Sequence, residues 1–174
     1  MNTTQRYTRP PLVYSLELPP SWEVDDSGID SGLVLARDTQ GWGNGFHPNI
    51  VLTQSSWSGS GDATPETVLA TQQSLEETFS RQLQDYRLIH LDFADFGTVA
   101  REDGEGEPVP GIMRAAYYTN EEGVPLMMHQ WAARRAGVEL SMTVTFPASD
   151  LPVLADASWS LAGLLEWKPD GRSA

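Results

Sequence analysis

Apolar and polar residues alternate in several short stretches of this chain, and two longer stretches carry the three-and-four spacing of helices. Leu12, Tyr14, Leu16 and Leu18 fall at every second position before Pro19-Pro20, which predicts a strand that the prolines end. Ser21-Trp22-Glu23 then reads as loop, residues 33–37 as a second strand and residues 49–57 as a third. Thr64-Pro65-Glu66 predicts a helix start, because Thr64 can cap free amides, Pro65 suits the first helical position and Glu66 complements the positive end. The apolar stripe of that helix is Val68, Leu75, Phe79 and Leu83 with Leu69 beside it, while Gln72, Gln73, Glu76, Glu77 and Arg81 face water.

Residues 86–93 predict a fourth strand, and the acidic run from Glu102 to Glu107 a loop. A meander follows over residues 112–119, 126–134 and 138–146, turning at Asn120-Glu121-Glu122-Gly123 and at Ala136-Gly137. In the last strand Val138, Leu140, Met142, Val144 and Phe146 alternate with Glu139, Ser141, Thr143 and Thr145, so one face is buried and the other wetter. Ser149 is the expected cap of a second helix whose Leu151, Leu154, Ser158, Leu161 and Leu165 form its stripe, flanked by Trp159 and Trp167. Three strands, a helix, four strands and a helix predict an α+β fold: an antiparallel sheet of about six to seven strands with two main helices packed on one face. A single domain over residues 12–168 is expected between tails at 1–11 and 169–174.

Gly41-Trp42-Gly43-Asn44-Gly45 is a glycine loop that runs through Phe46-His47-Pro48 into the apolar strand Asn49-Ile50-Val51. This strand start, with the mid-chain and terminal helices, resembles the PsbP-like superfamily over residues 12–167, and within it the actinobacterial LpqN-type group. The superfamily also contains a photosystem II extrinsic subunit, a Ran-binding import factor and chaperones that hold secretion effectors. The resemblance implies a small accessory protein without catalytic residues. LpqN-type proteins are usually exported lipoproteins, whereas the start of this chain shows neither an apolar signal core nor a lipid-attachment cysteine, so a cytoplasmic location is expected.

The formal net charge of −13 disfavours nucleic acid and anionic membrane as partners, and no window is long and apolar enough for membrane insertion. With no cysteine there is no disulfide, no thiolate metal site and no cysteine nucleophile.

Motifs for chemistry are weak. Asp95-Phe96-Gly97 copies a kinase metal-binding triplet without the other kinase motifs, and the Gly41 loop leads into a strand rather than into the helix that a phosphate cradle needs. His47, His90 and His129 are scattered, with no pair spaced to supply two ligands from one element, so no metal and no cofactor is expected. No nucleophile elbow occurs. An enzyme reading, a small hydrolase or lyase, would have to use His47 or His129 with a carboxylate.

A binding surface is the leading expectation. In residues 126–134, Met127, His129 and Trp131 share one face opposite Leu126, Met128, Gln130 and Ala132, so the strand is apolar on both sides and must be covered twice or display a patch. Met127, His129 and Trp131 on the sheet face away from the helices, with Trp42 and Phe46 from the glycine loop, are therefore expected to contact another polypeptide or a second copy of this chain.

Overall fold

The computed structural model describes residues 4–40, 45–58, 64–100 and 106–168. Ten strands form one sheet: β1 (Gln5–Tyr7), β2 (Tyr14–Leu18), β3 (Trp22–Asp25), β4 (Leu33–Asp38), β5 (Asn49–Ser56), β6 (Gln84–Ala100), β7 (Gly106–Thr119), β8 (Pro125–Arg135), β9 (Val138–Pro147) and β10 (Glu166–Trp167). Their order is β1-β2-β10-β6-β7-β8-β9-β5-β4-β3. The helices are α1 (Pro65–Ser74), α2 (Glu76–Gln82) and α3 (Leu151–Gly163).

The long alternating strands lie where the sequence puts them. Leu140, Met142, Val144 and Phe146 of β9 are buried, as are Tyr14, Leu16 and Leu18 of β2. The count of six to seven strands is too low because β1, β3 and β10 are too short to carry a periodic signal. Each is held by a neighbour: β1 by β2 inside the expected N-terminal tail, and β3 by β4 where a loop was expected. The terminal helix stops at Gly163, so Leu165 leaves its stripe and Trp167 no longer flanks it. Residues Glu166 and Trp167 become β10, antiparallel to β2 and parallel to β6.

The helices lie on opposite faces, not on one. Register puts Ile112 beside Ala132 and Arg114 beside Gln130, and this face meets α1: Val68 packs with Ile112 and Ala132, and Arg114 donates to the Gln72 carbonyl at 2.6 Å. One residue along, Met113 pairs with Trp131 and Ala115 with His129, and this face meets α3, where Leu161, Ala162 and Leu165 join the main core. A strand apolar on both sides is covered on both sides here, which places β7 and β8 at the centre of a three-layer structure.

The expected mid-chain helix is broken at Leu75. The Leu75 amide bonds the Gln72 carbonyl three residues back, tightening the last turn of α1, and Arg114 takes the same carbonyl. Gln72 is therefore buried, against the expectation that it faces water. Pro65 opens α1 as expected, but neither Thr64 nor Ser149 makes a side-chain cap bond; Asp150, at the end of a short 3-10 turn, precedes α3. Gly97 adopts φ +73, and a Cβ there would stand 2.4 Å from the Leu165 carbonyl oxygen, so a glycine is required where β6 passes the end of α3.

Candidate binding surface

Of the residues singled out for binding, the three on β8 do not form a surface. Trp42 lies outside the described residues. Phe46 is half-buried at the start of the segment leading into β5. Met127, His129 and Trp131 share a face, as alternation requires, but that face is the floor of the core beneath α3: His129 is 4% exposed and Trp131 0%. The ring of Trp131 meets Trp159 of α3 edge-on at 5.4 Å between centroids, and the His129 ring meets Phe146 at 5.1 Å. The surface expected at these three positions is taken by a helix of the same chain.

His129 is tied to α3 by one contact, Nδ1 to Ser158 Oγ at 2.7 Å, and Ser158 Oγ also donates to the Ala155 carbonyl at 2.7 Å. A carbonyl only accepts, so the hydroxyl proton goes to Ala155 and the imidazole must donate through Nδ1–H. Ser158 is thereby unable to hand its proton to His129, and the pair is buried, which argues against the hydrolase reading at this position. Burial pushes the His129 pKa from 6.5 down to about 4, keeping the ring neutral at pH 7. His47 places Nδ1 2.7 Å from the backbone carbonyl oxygen of Asp38, a contact that anchors the segment before β5.

A charged cluster the sequence reading missed lies on the other face. The Arg114 guanidinium is fully buried, pairs with Glu76 of α2 at 2.6 Å and sits 4.4 Å from the ring centre of Phe79. Tyr86 of β6 donates to Glu76 at 3.1 Å and stacks on Phe79 at 5.7 Å. Burial is the main cause that lifts the Tyr86 phenol to about 12, and burial likewise pulls Arg114 below its usual value, against the attraction of Tyr86 and Glu76. Glu76, expected on a solvated face, instead neutralises this arginine, while Glu77 pairs at the surface with Arg81. The cluster fastens α2 to the sheet. The signal for it in the sequence is a lone arginine inside the apolar run Ile112-Met113-Arg114-Ala115-Ala116.

Exposed apolar groups gather in two places. Val153 and Trp159 of α3 and Leu164 just after it face outward, and Leu154, Ala157 and Leu161 help line a groove of about 440 Å³ against Trp22. On β6, Leu88, Ile89 and Phe93 are 42%, 60% and 51% exposed. The β6 patch has a further property. One side of β6 pairs with β7, whereas on the other side β10 pairs only with Thr98 and Val99, so among the described residues no strand pairs the outer edge from Gln84 to Gly97. The Phe93 amide bonds the neighbouring Asp92 carboxylate at 2.8 Å, a local substitute for a ladder partner. Register shifts interrupt β6 between Gln84 and Arg87, Leu88 and His90, and Asp95 and Thr98, leaving a straight run from His90 to Asp95. The sequence shows this strand and its alternation of Ile89, Leu91 and Phe93 with His90 and Asp92. It does not show that the strand lacks a neighbour.

No family model matches the chain, and no curated protein matches it in sequence at a significant level. Solved structures match in shape. The solution structure of cyanobacterial PsbP from Synechocystis superposes with a TM-score of 0.67 at 15% identity, over 96% of this chain and 94% of that one. LpqN from Mycobacterium tuberculosis, described as involved in cell envelope biogenesis, gives 0.59 at 16% identity over 96% and 90%. A Pseudomonas aeruginosa protein described as a possible regulator gives 0.52 at 18% identity over 90% and 92%. The element order, the sheet and these superpositions agree that this chain has the PsbP-like fold.

Proposed function

We propose that this chain is a non-enzymatic accessory module that binds another polypeptide by adding it as a strand to the outer edge of β6. The observation that carries this reading is the combination on one element of an edge that no strand pairs among the described residues with exposed Leu88, Ile89 and Phe93. Backbone groups along such an edge supply affinity, and alternate apolar side chains supply selectivity. The expected role as a protein binder is kept, but its place moves from the β8 face, which α3 covers, to β6. The sealed His129–Ser158 pair supports a binding role over hydrolysis at that point of the core.

Photo-crosslinking tests it. A photoreactive residue in place of Phe93 should trap a polypeptide in cells, a control at Glu23 on the opposite sheet edge should not, and Ile89→Lys should abolish the product by setting a charge on the edge. Equal trapping from both positions, or trapping insensitive to Ile89→Lys, would reject the β6 edge as the site.

A further inference from the structure

We infer that the segment taken by the β6 edge is a basic one of fixed pattern: apolar beside Leu91, Lys or Arg beside Asp92, apolar beside Phe93, and Lys or Arg beside Asp95. This rests on the reading of β6 as a binding edge and gives the chemistry of what it binds.

The usable edge is the straight run from His90 to Asp95. The register shift between Leu88 and His90, with Ile89 as its extra residue, ends the run on one side, and the shift between Asp95 and Thr98 ends it on the other. Within the run the backbone fixes which residues meet a partner. The Phe93 amide goes to the Asp92 carboxylate rather than to β7, and Asp95 opposes Pro110, which has no amide to give back. Both facts put the odd-numbered residues at the pairs that β7 does not hydrogen-bond, so the backbone groups of Leu91, Phe93 and Asp95 point outward. A strand added in either direction bonds these three. Its side chains then stand beside Leu91, Phe93 and Asp95 on the α1 face and beside Asp92 on the opposite face.

The side chains of β6 set what suits each place. Leu91 packs with the Val68 cluster, and Phe93, 51% exposed, opposes Ile112 on the same face, so apolar neighbours there extend an existing layer and cover the ring. Asp92, Asp95 and Glu66 of α1 are exposed, and Glu66 and Asp95 line a shallow pocket of about 360 Å³ with Phe93, Pro65 and Pro110. Among the described residues none of these three carboxylates pairs with a cation. The nearest Lys or Arg along β6 is Arg87, five residues and roughly 16 Å before Asp92, beyond the screening length of about 10 Å. An incoming strand therefore meets negative charge on both faces. A Lys or Arg beside Asp95 is long enough to cross the strand spacing of about 4.8 Å, setting its cation between the Glu66 and Asp95 carboxylates and against the Phe93 ring. The net charge of −13 adds attraction of the same sign at longer range.

NMR titration of the whole chain with synthetic peptides tests the inference. Thr-Arg-Thr-Val-Lys-Val-Thr presents the pattern antiparallel to β6, and the reversed sequence presents it parallel. One of the two should shift the amides of residues 91–95 with a Kd below roughly 1 mM, and its counterpart with Glu in place of Arg and Lys should bind at least about tenfold more weakly. Asp92→Lys/Asp95→Lys should reverse that preference, with an unchanged thermal midpoint showing that the fold is kept. A wild-type chain that takes neither basic peptide, that takes the acidic one as tightly, or whose shifts fall outside residues 91–95 overturns the basic segment. So does a preference that the charge exchange leaves in place. Photo-crosslinking through Phe93 separates this failure from that of the underlying reading. A trapped segment that mass spectrometry shows to be acidic or neutral overturns the basic partner and keeps β6 as a binding edge, whereas selective peptide binding with nothing trapped in cells ends the accessory reading and keeps the chemistry of the edge.

Discussion

Acidification from pH 7 to pH 5 should destabilise this protein through His129, and the loss can be worked from its surroundings. The ring is 4% exposed, packed against Phe146 and Trp131, and its folded pKa of about 4 lies below the ordinary 6.5. In the unfolded chain the ring takes up a proton as pH falls through 6.5, while in the folded chain it stays neutral until about 4. Between those values the unfolded state binds more protons, so stability rises with pH there and falls on acidification. The full displacement corresponds to at most about 3 kcal/mol, and the portion developed between pH 7 and pH 5 is about 2 kcal/mol. Below the unfolded pKa of carboxylates, Asp25 and Asp26 add losses of the same sign, since hydrogen bonds from Ser27 and Arg9 respectively are the first causes that depress them; stopping at pH 5 isolates the histidine. Urea unfolding at both pH values should show the wild-type chain losing about 2 kcal/mol more than His129→Gln, whose amide can still donate to Ser158 but does not titrate. Equal losses in the two proteins would refute the claim that this buried ring resists protonation.

Three further outcomes concern the core and its fastenings. Trp131→Ala should lower stability by about 3–5 kcal/mol and the thermal midpoint by roughly 10 °C, because it empties a fully enclosed site under α3; a midpoint within a degree or two would return Trp131 to the surface role first expected of it. Glu76→Ala should cost about 2 kcal/mol by stranding the buried Arg114, more than Arg114→Met, which removes the charge and leaves Glu76 partly solvated; denaturant midpoints in the reverse order would contradict this account of the pair. Gly97→Ala should cost about 2–3 kcal/mol, since its φ of +73 and the Leu165 carbonyl leave no room for a methyl group, and a neutral effect in calorimetry would show that the β6–α3 junction yields easily.

Local pattern decided a good part of this fold. Strict alternation identified β9 and β2, Pro65 marked the start of α1, and spacing by three and four identified α3, because each of these signals depends on neighbours within a few residues. β8 was legible as a strand apolar on both faces, and so was the dilemma that it must be covered twice or exposed. Which of those held was not written in its residues: α3 supplies the cover through Ser158 and Trp159, which stand more than twenty positions after the His129 and Trp131 they meet. β1, β3 and β10 have no period to read and exist through their partners. The buried Arg114 depends on a glutamate thirty-eight positions away. The outer edge of β6, which no strand pairs among the described residues, is likewise a fact about strand order, since an edge is defined by which neighbours the fold brings beside it and not by any stretch of its own sequence.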